Sequence, residues 1–150
     1  MFKRIMAAID GSAHSNRAID HAADLASKYG AELILLYVMA SPASAHVPPE
    51  LHDVLRVAHL KVTKVDILRR VAEDLLQEGE KRARQSEPRI VRTLIGEGDV
   101  ADSIVGHAKN ESVDLIVMGR RGLGSLASIL LGSVSQKVGH SCECALMTVM

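Results

Sequence analysis

Two short segments of this sequence carry residues whose types and spacing suit the binding of a negatively charged ligand. The first is Asp10-Gly11-Ser12, which places a carboxylate and a glycine directly after an apolar run. The second runs from Gly119-Arg120-Arg121-Gly122 to Gly132-Ser133. Glycines let the backbone approach phosphate oxygens closely, because no Cβ intervenes. A helix that starts after a glycine presents unpaired N–H groups and partial positive charge, which together favour an anion.

Each of these residues also has a purely structural interpretation. Asp10 is equally suited to capping a helix and to contacting a ligand. A glycine after a strand is often only a turn, and Arg120 and Arg121 either add charge to the site or are solvated surface groups. Ser133 and Gln136 have the spacing of a capping box, so we expect Ser133 to cap the last helix. The combination is more informative, because it puts a carboxylate and a glycine-lined helix start at one end of a sheet.

Alternating strand-like and helix-like patterns position these two segments. Apolar runs predict five strands, at Ile5–Ile9, Leu33–Met39, Ile90–Ile95, Leu115–Met118 and Ala145–Val149. Helical spacing predicts helices between them, with Ser12 or Ser15 and Asp99 as N-caps, Gly30 as a C-terminal stop, and Val65, Leu68, Ala72 and Leu75 on one long helix. Strands separated by helices pair in parallel. We therefore expect one doubly wound α/β domain over residues 1–150, with three layers and a five-stranded, mostly parallel sheet.

The composition narrows the classes of partner. Eighteen basic residues offset eighteen acidic ones, and the chain has one Phe, two Tyr and no Trp. The chain lacks the excess positive charge and the aromatic side chains that nucleic-acid binding usually needs. No apolar run approaches the ~20 residues that span a bilayer. The N-terminus lacks the features of a signal peptide, and two cysteines make no disulfide framework. We expect a reduced, cytoplasmic protein with no nucleic-acid or membrane partner.

Other chemistry-bearing patterns are weaker. No P-loop motif occurs, and the order of glycines after the fourth strand differs from the dinucleotide fingerprint. His140, Cys142 and Cys144 would share one face if they alternated along a strand, as metal or redox ligands would require, but free cysteines are more often small buried hydrophobes. We interpret His46, His52 and His59 as solvated. No serine has an evident base, so we expect no catalytic residue.

The spacing Gly119-x-x-Gly122, nine residues, Gly132-Ser133 resembles the G-x2-G-x9-G-[ST] signature of ATP-binding universal stress proteins. The opening Ile5–Ser12 segment is similar to that family's first strand and Asp-Gly-Ser turn. Similar matches, at Leu35–Val38, Gly98-Asp99 and Asp114–Gly119, extend over nearly the whole chain. The resemblance implies a Rossmann-like fold of the adenine nucleotide alpha hydrolase type, with strand order 3-2-1-4-5.

The resemblance also implies a ligand and its contacts. Asp10 would accept hydrogen bonds from ribose hydroxyls, the backbone of Val38 would meet adenine, and the helix start would bind phosphates. The residues assigned to nucleotide binding are Asp10, Val38, Met118, Gly119, Arg120, Gly122, Gly132, Ser133 and Val134. The ligand would be ATP, or AMP or ADP, accompanied by Mg²⁺ through the phosphate oxygens. The function implied is that of a stress-response regulator that acts through nucleotide-dependent interactions with a protein partner. The alternatives are a slow Mg²⁺-dependent ATPase and an interaction module that needs no nucleotide.

The last strand predicts self-association. Ala145–Val149 carries no charge and no proline, so an open edge there would invite pairing with another strand. The family resemblance implies a homodimer built by pairing this edge with its twin. One departure from the family pattern is Ala145 after Cys144, where proline is common; the alanine retains a backbone donor at the strand entry.

Overall fold

Five strands and four helices alternate along the part of the chain that the computed structural model describes, residues 1–39, 64–120 and 132–150. In chain order they are β1 (Arg4–Ile9), α1 (Ala13–Tyr29), β2 (Glu32–Met39), α2 (Lys64–Ala83), β3 (Ile90–Glu97), α3 (Val100–Asn110), β4 (Leu115–Gly119), α4 (Ser133–Ser141) and β5 (Ala145–Val149), with a 3-10 turn at Arg84–Ser86. The expected loop at Ser41–Pro49, the three histidines His46, His52 and His59, and Gly122 lie outside the described residues.

The five strands form one sheet in the order β3-β2-β1-β4-β5, and every neighbouring pair is parallel. This confirms the predicted α/β class and the strand order 3-2-1-4-5. From β1 the chain moves outward through β2 to β3, and it then returns to β4 on the other side of β1. The direction of winding therefore reverses between β1 and β4, where a doubly wound sheet leaves a crevice at its carboxyl edge.

Two apolar layers cover the faces of the sheet. Alternate residues of β1 point to opposite faces: Ile5, Ala7 and Ile9 pack with α1 and α2, whereas Met6 packs with α3 and α4. The interior strand β2, between β3 and β1, is buried on both faces, as its unbroken apolar sequence predicts. The layer that contains Met6 positions α4, because α4 packs against the sheet on that face.

The third strand is longer than expected. The sequence predicts that Gly96 ends it after Ile95, but β3 continues through Glu97. Gly96 pairs with Val38 and Glu97 pairs with Met39, so the ladder to β2 continues past the glycine. Ladder hydrogen bonds from a buried neighbouring strand outweigh the weak strand propensity of one glycine.

The predicted ends of α1 and α3 are confirmed, and the structure chooses between the two serines. Ser12 is the N-cap of α1, since its Oγ accepts a hydrogen bond from the Ser15 N–H at 3.1 Å. Gly30 ends the helix with φ 63°. Asp99 caps α3 by accepting from the Asp102 N–H at 3.0 Å.

The alternative of a metal or redox site at His140, Cys142 and Cys144 is wrong in its geometry. It required three alternating residues on a strand, whereas His140 lies in α4 and both cysteines precede β5. Both thiols are free, and burial, with Cys142 as a second cause, raises the pKa of Cys144. Within residues 1–39, 64–120 and 132–150, no three His, Cys, Asp or Glu side chains are grouped as metal ligands. None of the described helices is both long enough and apolar enough to cross a bilayer.

Candidate functional site

The carboxyl edge between β2, β1 and β4 brings Asp10 beside two other predicted residues. The last pair between β1 and β2 is Ile9 with Tyr37, and the last pair between β1 and β4 is Ala8 with Met118. Extended past these last pairs, the two registers would place Asp10 level with Val38 on one side and Arg120 on the other. Neighbouring strands lie about 4.8 Å apart, and we call these three residues, extrapolated from the registers, a row across the reversal point of the sheet.

The Asp10-Gly11-Ser12 turn presents the Asp10 carboxylate at this edge. Gly11 has φ 82°, a left-handed conformation that glycine adopts without strain. The turn lets Asp10 Oδ1 accept from the Ser12 N–H at 2.9 Å, while the Asp10 N–H donates to Ser15 Oγ at 3.1 Å. Asp10 is therefore not the helix cap, because Ser12 has that role. Its half-buried carboxylate is instead oriented by the backbone of the turn.

Two side chains that the sequence did not single out surround this turn. Burial raises the pKa of Tyr37, and the negative charge of Asp10 adds to the effect, so the phenol remains neutral well above physiological pH. Leu75 of α2 covers Gly11: a Cβ on that glycine would lie 3.0 Å from Leu75 Cδ2. The turn is thus packed from the α2 side, and an alanine at Gly11 would be both crowded and strained.

The second segment begins and ends at the same point of the edge. The Arg120 N–H donates to the Val149 carbonyl at 2.7 Å, and the Arg120 carbonyl accepts from the Gly132 N–H at 2.8 Å. Residues 120 and 132 are therefore hydrogen-bonded neighbours, although eleven residues separate them in the chain. We call this contact the Arg120–Gly132 junction.

The capping-box prediction for α4 is wrong. The helix begins at Ser133, its N-cap is Gly132, and no side chain caps it. Gly132 has no side chain to supply the bond, and Ser133 is one position too late, exposed in the first turn. Gly132 adopts φ −67° and ψ 149°, which any residue can adopt, so the backbone conformation does not require glycine here. With no side chain capping it, the α4 helix start keeps donors for an anion.

Arg120 supplies a second sign that the edge is built for an anion. Its Nε is fully buried, and it has no hydrogen-bond partner within the described parts of the chain. A buried, charged donor without a partner is costly, and a phosphate or carboxylate oxygen would satisfy it. Arg120 as a whole is partly buried, so its Nε lies inside the protein while part of the residue is in contact with solvent.

Eight of the nine predicted site residues lie around this edge, and Gly122 is outside the described residues. Val38 and Met118 are buried in the apolar cluster beneath α4, against which Val134 also packs. Gly119 is the last residue of β4 and pairs with Val149. Ser135, which sequence reasoning missed, is almost fully buried, and its hydroxyl contacts the Arg120 and Gly132 carbonyls. A serine near a helix start is common, so its inward direction had no signal in the sequence.

A carboxylate, an apolar wall and an uncapped helix start side by side suit a ligand with hydroxyls, a flat apolar part and an anionic group.

A sequence profile described as the universal stress protein family matches residues 1–150. The chain belongs to the universal stress protein family. A relative in Thermus aquaticus is 36% identical, and one in Bacillus subtilis (strain 168) is 33% identical. Both alignments cover 99% of this chain and 99% of the relative.

Solved structures of universal stress proteins share the fold. The protein UspA from Lactobacillus plantarum superposes with a TM-score of 0.79 at 25% identity, covering 99% of this chain and 97% of that one. A universal stress protein solved in complex with cAMP gives a TM-score of 0.71 at 24% identity, covering 99% and 96%. A family protein from Arabidopsis thaliana with AMP bound gives 0.66 at 21% identity, covering 98% and 90%.

Proposed function

We propose that this universal stress protein binds an adenine nucleotide, with ATP as the first candidate, and acts as a stress-response regulator through nucleotide-dependent interactions. The observation that supports it most is the row Val38, Asp10 and Arg120 across the reversal point of the sheet, next to an α4 start that no side chain caps. Each part of a nucleotide has a complementary group there.

The Asp10 carboxylate accepts from ribose hydroxyls, since an ionised carboxylate is a strong acceptor. The backbone at the end of β2, around Val38, meets the adenine edge. Backbone N–H groups at Ser133 and Val134 donate to phosphate oxygens, whereas the Gly132 N–H already donates to the Arg120 carbonyl. The buried Arg120 Nε gains an anionic partner. Gly119 lines the path between ribose and phosphates, and the glycine signature of the sequence assigns the same role to Gly122.

Ligands seen in proteins of the same fold support the choice of adenine. One such structure contains cAMP and another contains AMP. A third, of a universal stress protein from Archaeoglobus fulgidus, contains dAMP. The three ligands share adenine and one phosphate; dAMP lacks the ribose 2′-hydroxyl, and in cAMP the phosphate is closed onto the 3′-oxygen. For this chain the argument for more than one phosphate rests on its own glycine spacing and uncapped helix start. Mass spectrometry of the gently purified protein would identify which adenine nucleotide travels with it.

A divalent ion would enter with the nucleotide. The described residues provide no cluster of acidic, His or Cys side chains around the edge. Mg²⁺ would therefore be bound by phosphate oxygens and water, as it commonly is in nucleotide sites. Its affinity would follow that of the nucleotide.

The proposal is one of binding, with at most incidental hydrolysis. Ser12, the hydroxyl nearest to Asp10 in sequence, is engaged as the cap of α1. Nucleotide occupancy would instead favour one shape of the carboxyl edge over another and so change what binds there. A ligand shifts such an equilibrium only by the difference in its affinity for the two shapes.

The test is isothermal titration of the protein with MgATP, comparing wild type with Gly132→Leu. Because Gly132 has a backbone conformation open to any residue, we expect the variant to fold, with the leucine side chain filling the space where phosphate would lie. Wild type should bind and the variant should not. Ser141→Leu is the matched control, since it adds the same side chain to an exposed position at the other end of α4, about 12 Å away. Equal binding by all three proteins would refute the proposed site.

A further inference from the structure

Three elements meet at the peptide of Arg120. Its N–H donates to β5 at Val149, and its carbonyl accepts from Gly132 at the start of α4, so β4, β5 and α4 are joined through one residue. These contacts also fix the positions of residues 120 and 132 relative to each other. Any ligand that contacts both residues depends on the distance between them.

Ser135 adds a side-chain contact to this junction. Its Oγ lies 3.2 Å from the Arg120 carbonyl oxygen and 2.9 Å from the Gly132 carbonyl oxygen, so one hydroxyl reaches both sides of the junction. The side chain is 3% exposed, so water does not readily replace it. A hydroxyl has one proton to donate, which is shared between the two carbonyls.

We propose that Ser135 is a positioning residue for the phosphate end of the nucleotide site. It keeps the α4 helix start at a fixed distance from the end of β4, so that the backbone donors of Ser133 and Val134 and the side chain of Arg120 face one anion together. This inference rests on the proposed nucleotide function and assigns to Ser135 no contact with the ligand itself.

The physical reason is preorganisation. The buried Val138 holds the body of α4 against the sheet, whereas the Gly132 N–H bond to Arg120 is one hydrogen bond at the helix start, and one bond alone leaves the first turn some freedom of orientation. The Ser135 hydroxyl adds a second point of attachment one turn inside the helix. Without it, the start of α4 samples more orientations, and phosphate binding must restrict them at the expense of affinity.

The experiment is titration of Ser135→Ala with MgATP and, separately, with adenosine, which lacks phosphate. We expect the affinity for MgATP to fall about tenfold, the equivalent of one or two buried neutral hydrogen bonds. The affinity for adenosine should stay at the wild-type value, because the Asp10 and Val38 side of the site is unaltered. Ser135→Thr, which retains the hydroxyl, should restore MgATP binding. Ser141→Ala makes the same change at an exposed position of α4 and should have no effect.

The possible results separate this inference from the proposed function. If wild type binds neither ligand, both proposals fail. If wild type binds MgATP and Ser135→Ala binds it equally well, the nucleotide site stands and the positioning role is refuted. Equal losses for MgATP and adenosine would also refute it, since they would show a general disturbance of the fold rather than of the phosphate end. Loss in both the Ala and the Thr variants would exclude the hydroxyl as the cause.

Discussion

Asp10 illustrates how a single residue at a strand end combines local structure with recognition. Its Oδ1 accepts the Ser12 N–H within the turn, which restricts the carboxylate to one orientation at the edge of the sheet. The same carboxylate carries the negative charge that ribose hydroxyls would meet. The two roles can be separated, because an amide oxygen can accept the turn hydrogen bond without the charge.

Asp10→Asn should therefore leave the fold intact and weaken nucleotide binding. A hydrogen bond to a charged acceptor is worth about 1 kcal/mol more than one to a neutral acceptor, so we expect a five- to tenfold loss of MgATP affinity. The midpoint of thermal unfolding should change by less than about 3 °C. Asp74→Asn, on an exposed position of α2, provides the control. An unchanged affinity in Asp10→Asn would remove Asp10 from the proposed site.

For single residues, the sequence predicted which residue types form the candidate site better than it predicted the direction in which their side chains point. The Asp-Gly-Ser turn and the glycine at residue 132 were evident, since charge, small size and position after a strand are properties of the sequence. The inward direction of Ser135 and the burial of Arg120 Nε depend on where α4 starts relative to β4. The capping-box prediction failed for a related reason, because the spacing of Ser133 and Gln136 does not reveal that the helix starts one residue earlier, with Gly132 as its N-cap.

Between elements, small residues set how closely helices and strands approach. Gly96 of β3 lies under α3: a Cβ built on it would be 2.4 Å from Ser103 Oγ and 3.1 Å from His107 Cε1. On α3 itself, Gly106 has nothing within 4 Å of the corresponding position. Packing therefore requires glycine at residue 96. At residue 106 packing does not require it, and glycine there lowers the stability of the helix.

Alanine should consequently have opposite effects at these two positions. Gly96→Ala forces α3 away from the sheet and should lower the free energy of unfolding by about 1–3 kcal/mol. Gly106→Ala should raise it by about 0.5–1 kcal/mol, because alanine is the better helix former. Urea denaturation of both variants against wild type measures the two changes. Destabilisation by Gly106→Ala would show that the surroundings of α3 differ from those described.

The elements themselves were largely predictable, because apolar runs and helical spacing report burial directly. The sequence of one element does not show how contacts with neighbouring strands and helices change its length or orientation. The pairing of Gly96 and Glu97 with β2 lengthened β3 beyond its own pattern. On α2, the predicted positions Val65 and Ala72 proved to be 40% exposed and fully buried respectively, so the apolar spacing identified the helix but not the face it turns to the sheet.

For the molecule as a whole, the open question is what lies against β5. The strand is at the edge of the sheet, with β4 on one side, and it carries no charged side chain. The Ala145 N–H donates to the Asp114 carbonyl, and the Val149 carbonyl accepts from Arg120. Because backbone direction alternates along a strand, residues 145, 147 and 149 direct their polar groups toward β4, and residues 146 and 148 direct theirs outward. We propose that this outward edge pairs with the same strand of a second copy.

Thr148→Pro tests the proposed dimer without disturbing the sheet. Proline at residue 148 removes an N–H that faces outward, whereas every contact with β4 is retained, and proline is tolerated on edge strands in that orientation. We expect wild type to sediment as a dimer at micromolar concentration and Thr148→Pro to sediment as a monomer with a similar circular dichroism spectrum. Thr148→Val, which retains the N–H, should remain dimeric. A monomeric wild type would refute self-association, and a dimeric Thr148→Pro would place the interface elsewhere on the surface.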